Sequence, residues 1–293
     1  MSRLSFLSRR PPMVGNKWCC LILLSLIYIT VFIISTTSLS SRSHNEAAFT
    51  SKEGWKTIDL FYGKIDNVPN YYSQANQSEA VLAMLNGKRN GYFVELAAHD
   101  AYFLSNSYVL EKNNEWNGLC IEANPLYWGS LAQRRCKVVG AAVGGKKMEE
   151  INFRIDNEAL GGVIGESFDN KPRSKNRKQN LRHKVVRMFT VSLREIFHIF
   201  KVPKIIDYLS LDVEGAEELV LSNFPFNEYS FTILSIERPS QSLKSLLTGR
   251  GYTFVRQITA FGETFWINQA EKDKLNMTYF ESHYSNMFTI YEK

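Results

Sequence analysis

Three apolar segments of this chain end in carboxylates, and the chemistry such ends can do is hydrogen bonding to a diol or removal of a proton. In Gly91-Tyr-Phe-Val-Glu-Leu-Ala-Ala-His-Asp-Ala101 the run stops at Glu95, and in Gly118-Leu-Cys-Ile-Glu-Ala-Asn-Pro125 it stops at Glu122. The third, Ile205-Ile-Asp-Tyr-Leu-Ser-Leu-Asp-Val-Glu-Gly-Ala-Glu217, ends in Asp212 and Glu214, with Gly215 opening a helix. Short apolar runs without alternation suit parallel strands covered on both faces. In an open α/β sheet, ligands sit beyond the carboxyl ends of the strands, so these carboxylates are expected around one crevice. A carboxylate there can accept two hydrogen bonds from a ribose diol, while small residues after the first strand let backbone N–H groups approach the ligand. The bland alternative is that Glu95 and Glu122 merely cap strand ends.

Helices and strands must alternate to hold those ends together. Ser78-Glu-Ala-Val-Leu-Ala-Met-Leu reads as a capped helix. Strand 91–98, helix 105–114, strand 118–123, helix 125–135 and strand 136–143 follow; this alternation implies a parallel sheet with right-handed crossovers. An extra strand is expected at 151–155 and a helix at 193–200, after which strands 206–212, 231–237, 252–257 and 263–268 resume the sheet. The link from Ile258 to Gly262 suits a hairpin that makes the last strand antiparallel.

Four blocks in this order resemble the FkbM-type methyltransferases, S-adenosylmethionine-dependent O-methyltransferases. They are Tyr92-Phe-Val-Glu-Leu-Ala-Ala-His-Asp-Ala with Leu104-Ser-Asn, Trp116-Asn-Gly-Leu-Cys-Ile-Glu-Ala-Asn-Pro, Asp207-Tyr-Leu-Ser-Leu-Asp-Val-Glu-Gly-Ala-Glu, and Ser235-Ile-Glu-Arg-Pro239. The resemblance runs from about Tyr71 to Ile267. It implies an α/β class I methyltransferase fold, Rossmann-like and doubly wound, with a mostly parallel seven-stranded sheet.

It also implies roles. Glu95 and the loop from Ala97 to Ala101 would face the methionine end of S-adenosylmethionine and Glu122 its ribose, with Asp212 and Glu214 at the acceptor side. Ala97, Ala98, Asp100, Ser105, Asn106, Asn124 and Asp212 join Glu95 and Glu122 as expected cofactor-binding residues. Asp212, His99 and Glu214 are the catalytic candidates, Asp212 before His99 as the base. The family's first loop usually carries glycines where this chain has Ala97 and Ala101, and each added Cβ narrows the approach to the cofactor. No metal ligand is assigned. Asp100, Asp212, Glu214 and Glu237 can nonetheless be grouped around a hard divalent ion, and Glu237 with Arg238 can equally form a structural ion pair.

The remaining chain concerns location. Trp18 to Ile34 carries no charge, and with its flanks the segment 18–37 reaches the roughly 20 residues a membrane helix needs. Arg3, Arg9, Arg10 and Lys17 precede it, so residues 1–17 are expected in the cytoplasm, 38–70 as a luminal stem and 71–293 as a luminal domain of the Golgi or endoplasmic reticulum. A cleaved signal peptide is the competing reading. Sequons at Asn76 and Asn276 agree with that side of the membrane. Cys120 and Cys136 are expected to stay unbridged, a mid-strand cysteine being more often a small buried hydrophobe. The net charge of +6 owes much to the basic loop 169–184 and the N-terminal tail, and a luminal domain excludes nucleic acid as a partner.

The expected function is O-methylation of a sugar hydroxyl, in a glycan or a small-molecule acceptor. The alternative is a non-catalytic anchored protein that keeps the fold to bind a partner or assist trafficking. A glycosyltransferase ranks last, because the domain has no Asp-x-Asp motif.

Overall fold

A computed structural model describes residues 73–172 and 184–284. The main sheet contains β1 (Tyr92–Leu96), β2 (Asn117–Ile121), β3 (Lys137–Val139), β7 (Ile205–Leu211), β8 (Ser230–Glu237), β9 (Tyr252–Gln257) and β10 (Glu263–Asn268). Their order is β3-β2-β1-β7-β8-β10-β9, with only β10 antiparallel to its neighbours. The chain leaves β1 outward to β2 and β3, then returns to the other side of β1 at β7, so the strand order reverses between β1 and β7. A crevice opens at that switch point, beyond the carboxyl ends of the strands.

Alternate residues of the strands meet helices. Phe93, Cys120, Tyr208, Ile233 and Phe265 pack with residues of α1 (Gln77–Met84), α2 (Tyr108–Asn114) and the C-terminal α7 (Met277–Tyr284). Buried Trp116 donates its indole N–H to the carbonyl of Lys88 at 2.7 Å. Gly118 is glycine for want of space, since a Cβ would lie 2.4 Å from the Phe93 carbonyl oxygen on β1. Phe197 of α4 (Leu193–Ile199) packs edge-on against Phe224, Tyr229 and Phe231.

The antiparallel hairpin of β9 and β10 has the bounds read from the sequence. Other elements are shorter. Ser105 lies before α2, because its hydroxyl contacts Glu95 and accepts from the backbone N–H groups of Ser107 and Tyr108. Between Pro125 and Arg135 only α3 (Trp128–Leu131) is α-helical. Ser78 does not cap α1; Asn76 holds the cap position and Ser78 is buried against Ser73. The expected strand at 151–155 exists as β4 (Glu150–Arg154), but it belongs to a separate antiparallel sheet with β5 (Gly162–Val163) and β6 (Val185–Phe189), in the order β5-β4-β6.

Cys120 and Cys136 form a disulfide, correcting the expectation of two free thiols; their Cα atoms are 6.0 Å apart. Cys120 pairs with Val138, and residues two apart share a sheet face, so the register brings Cys136 to the side of Cys120. The expected span 18–37, the stem 38–70 and most of the basic loop 169–184 lie outside the described residues. Among the described residues no helix is long and apolar enough to cross a membrane.

Candidate functional site

A cavity lies beyond β1 and β2. Ala97, His99, Glu122, Asn124 and Tyr127 line one side, Val143 and Val213 continue the wall, and Phe153, Gly162 and Val163 of the small sheet cover it. It encloses about 60 Å³ and spans about 620 Å³ counting its mouth. The small sheet is therefore a wall of the site that the sequence reading missed, although Gly161-Gly162 is a signal for close backbone approach. A Cβ on Gly162 would lie 2.7 Å from the Asn170 side-chain nitrogen and 3.2 Å from the Glu214 Cβ.

Glu122 sits at the end of β2, 5% exposed. One carboxylate oxygen accepts from the His99 backbone N–H at 2.8 Å, the other from that of Asn124 at 2.6 Å. Each oxygen keeps a further lone pair, the arrangement a vicinal diol needs. Burial pushes the Glu122 carboxyl up to about 7, against the pull of the two amides. Asn124 spends its side chain on the Ile155 carbonyl and the Leu126 N–H, pinning the small sheet to the site. The His99 ring lies 4.0 Å from that of Tyr127, centroid to centroid.

The backbone is strained where strands meet the crevice. Ala97 and His99 after β1, Glu214 after β7 and Arg238 after β8 all have positive φ, at 57°, 50°, 55° and 43°. Such outliers concentrate at functional sites. Ala97 is a position where glycine is comfortable, so Ala97→Gly should stabilise the domain by about 0.5 to 1 kcal/mol in denaturant titration. Ala101 differs: it is buried, its N–H donates to Ser130 and its carbonyl accepts from Arg134, and it does not line the cavity. Its extra methyl therefore does not narrow the cofactor's approach, as the sequence had suggested.

Other expected site residues are also set apart from the cavity. Ala98 belongs to the hydrophobic core. Glu95 is buried, accepting from the Asn106 N–H at 2.5 Å and from the hydroxyls of Ser105 and Ser107, with Arg134 4.0 Å away. Burial raises its pKa, opposed by Arg134 and these donors. Asp100 binds the backbone N–H groups of Tyr102 and Phe103 and the Ser130 hydroxyl. Burial lifts its pKa, but those hydrogen bonds and His99 outweigh it, leaving the carboxyl below its ordinary range. Glu95, Ser105 and Asp100 thus shape the loop, and Asn106 joins it to β7 by donating to Ser210. The remaining Asn106 acceptor, Oδ1, is buried with no partner among the described residues.

Asp212 and Glu214 meet elsewhere, beside Glu237. Leu211 pairs with Ile236, so Asp212 and Glu237 leave adjacent strands side by side. Burial, then Glu237, Glu263 and Glu214, hold the Asp212 carboxyl well above the carboxylate range. Arg238 contacts Glu237 at 2.7 Å and Glu214 at 3.3 Å, so the pairing of Glu237 with Arg238 is present. The Glu214 carboxyl is pushed up to about 7 by burial and Glu237, with Arg238 pulling the other way.

A sequence model of the methyltransferase FkbM domain matches residues 95–254, from Glu95 into the first half of β9. This chain belongs to the FkbM methyltransferase domain family. The matched segment holds Glu122, Asp212 and Glu237, so the crevice is part of the FkbM domain and not an addition to it. Among solved structures the chain is similar to a precorrin-6y C5,15-methyltransferase from Geobacter metallireducens GS-15. That likeness has 10% identity, covers 65% of this chain and 84% of that one, and has a TM-score of 0.34. No curated protein matches the sequence.

Proposed function

We propose that the chain is an S-adenosylmethionine-dependent O-methyltransferase acting on a sugar hydroxyl or another small hydroxylated acceptor. The observation that carries the reading is Glu122, a buried carboxylate at the rim of β2 with one lone pair on each oxygen left for a ribose diol. Asn106 Oδ1 adds a buried acceptor at the switch point, suited to an ammonium group. S-adenosylmethionine would supply a methyl carried on a sulfonium. The chain's task is then to align an acceptor oxygen and to take its proton. Asp212 is the base, since burial, then Glu237, Glu263 and Glu214, raise its carboxyl well above the ordinary carboxylate range and strengthen it as a proton acceptor, whereas the His99 ring lies against Tyr127 on the nucleoside side.

The basic N-terminus and apolar segment 18–37 support a single-pass anchor with the domain in the lumen of the Golgi or endoplasmic reticulum. Asn76 and Asn276, both exposed, suit glycosylation there. Calorimetric titration of the full-length chain in detergent with S-adenosylmethionine tests the reading, and micromolar binding is expected. A folded chain that binds none at millimolar concentration favours instead a non-catalytic, partner-binding protein; the strained alanine at position 97 and the narrow cavity support that rival.

A further inference from the structure

We propose that Asp212, Glu214 and Glu237 bind a hard divalent cation, Mg²⁺, Mn²⁺ or Ca²⁺, on the acceptor side of the crevice. One oxygen from each carboxylate lies within 4.8 Å of the others. Hard cations bind oxygen at roughly 2.0 to 2.6 Å, so ligands on opposite sides of one ion are about 4 to 5 Å apart and all three can reach it. Every donor is a carboxylate oxygen, which selects hard cations over thiophilic metals.

A second, independent observation points to the missing charge. The Oδ1 atom of Asp212 is buried and has no hydrogen-bond partner among the described residues. A buried carboxylate oxygen without a donor is costly, and a cation satisfies it. The resident guanidinium does not reach that oxygen: Arg238 Nη2 contacts Asp169 at 2.6 Å, Glu237 at 2.7 Å and Glu214 at 3.3 Å, with no contact to Asp212. Asp169, Glu214 and Glu237 thus share one positive side chain, and Asp212, hydrogen-bonded to Glu237, has no cation of its own.

The test is Mn²⁺ binding to the full-length chain in detergent, followed by electron paramagnetic resonance without S-adenosylmethionine. One saturable site is expected, with Mg²⁺ and Ca²⁺ competing for it. Asp212→Asn and Glu237→Gln should each weaken it about tenfold or more, thermal melts showing which variants fold. Arg238→Ala removes the competing positive charge and should tighten it about threefold. Absence of saturable Mn²⁺ binding, or a site indifferent to both carboxylate variants, overturns the proposal. A chain that binds S-adenosylmethionine but not Mn²⁺ loses this inference alone; one that binds Mn²⁺ but not S-adenosylmethionine loses only the methyl-transfer reading.

Discussion

Glu122→Gln should weaken S-adenosylmethionine binding about tenfold to a hundredfold while leaving the chain folded. A hydrogen bond from a ribose hydroxyl to a buried carboxylate contributes about 1.5 to 3 kcal/mol, and the amide gives up one of the two that the diol makes. Glutamine keeps the shape but replaces one acceptor oxygen by a donor, which then faces either the His99 or the Asn124 N–H. Calorimetry of both proteins in one buffer measures the difference. Equal affinities would place the ribose away from β2.

The same residue sets a pH dependence. Its carboxyl is raised from 4.5 to about 7 on folding, so the folded chain holds a proton that the unfolded chain releases. The stability this supplies is fully present below about pH 4.5 and is lost as pH rises through 7, a change of about 3 kcal/mol. Glu122→Gln should remove that slope from a plot of stability against pH. Cofactor affinity should run the other way, rising from pH 6 to 8 as the carboxylate ionises and gains its full set of acceptors.

The sheet was legible because its strands are buried on both faces and announce themselves as unbroken apolar runs, Tyr92 to Val94 or Leu119 to Ile121. Even the antiparallel end of the sheet followed from the short link at 258–262. Of the small sheet only β4 was legible: β6 is partly exposed and mixed in polarity, β5 is only two residues long, and their pairing into a separate sheet has no local signal. Strand ends told where carboxylates lie but not which way each is committed. Glu95 and Glu122 look equivalent in sequence, each closing an apolar run, yet the residues that separate their fates come from distant segments. The disulfide escaped for a similar reason, since sharing a sheet face depends on the register of β2 against β3.

Arg134 is the residue that decides the fate of Glu95, and Arg134→Met should destabilise the chain by about 3 to 5 kcal/mol. Its side chain is 0% exposed and each of its three nitrogens has a partner: Nε meets Glu111 at 3.3 Å, Nη1 meets the Ala101 carbonyl at 3.0 Å and Ser105 at 2.9 Å, and Nη2 meets Ser107 at 3.0 Å. Methionine fills similar volume but leaves Glu95 and Glu111 buried without a cation, and that uncompensated charge dominates the cost. Arg134→Lys keeps charge without the fork and should fall between the two. If the orphaned charge is the cause, adding Glu95→Gln to Arg134→Met should recover part of the loss, a coupling that independent effects would not show. Denaturant midpoints of the four proteins measure it, and a loss under about 1 kcal/mol for Arg134→Met would contradict the account. Arg134 and its partners hold the loop 97–107, whose His99 N–H orients Glu122. The carboxylate at β1 therefore serves the ligand only by building the loop that presents the carboxylate at β2.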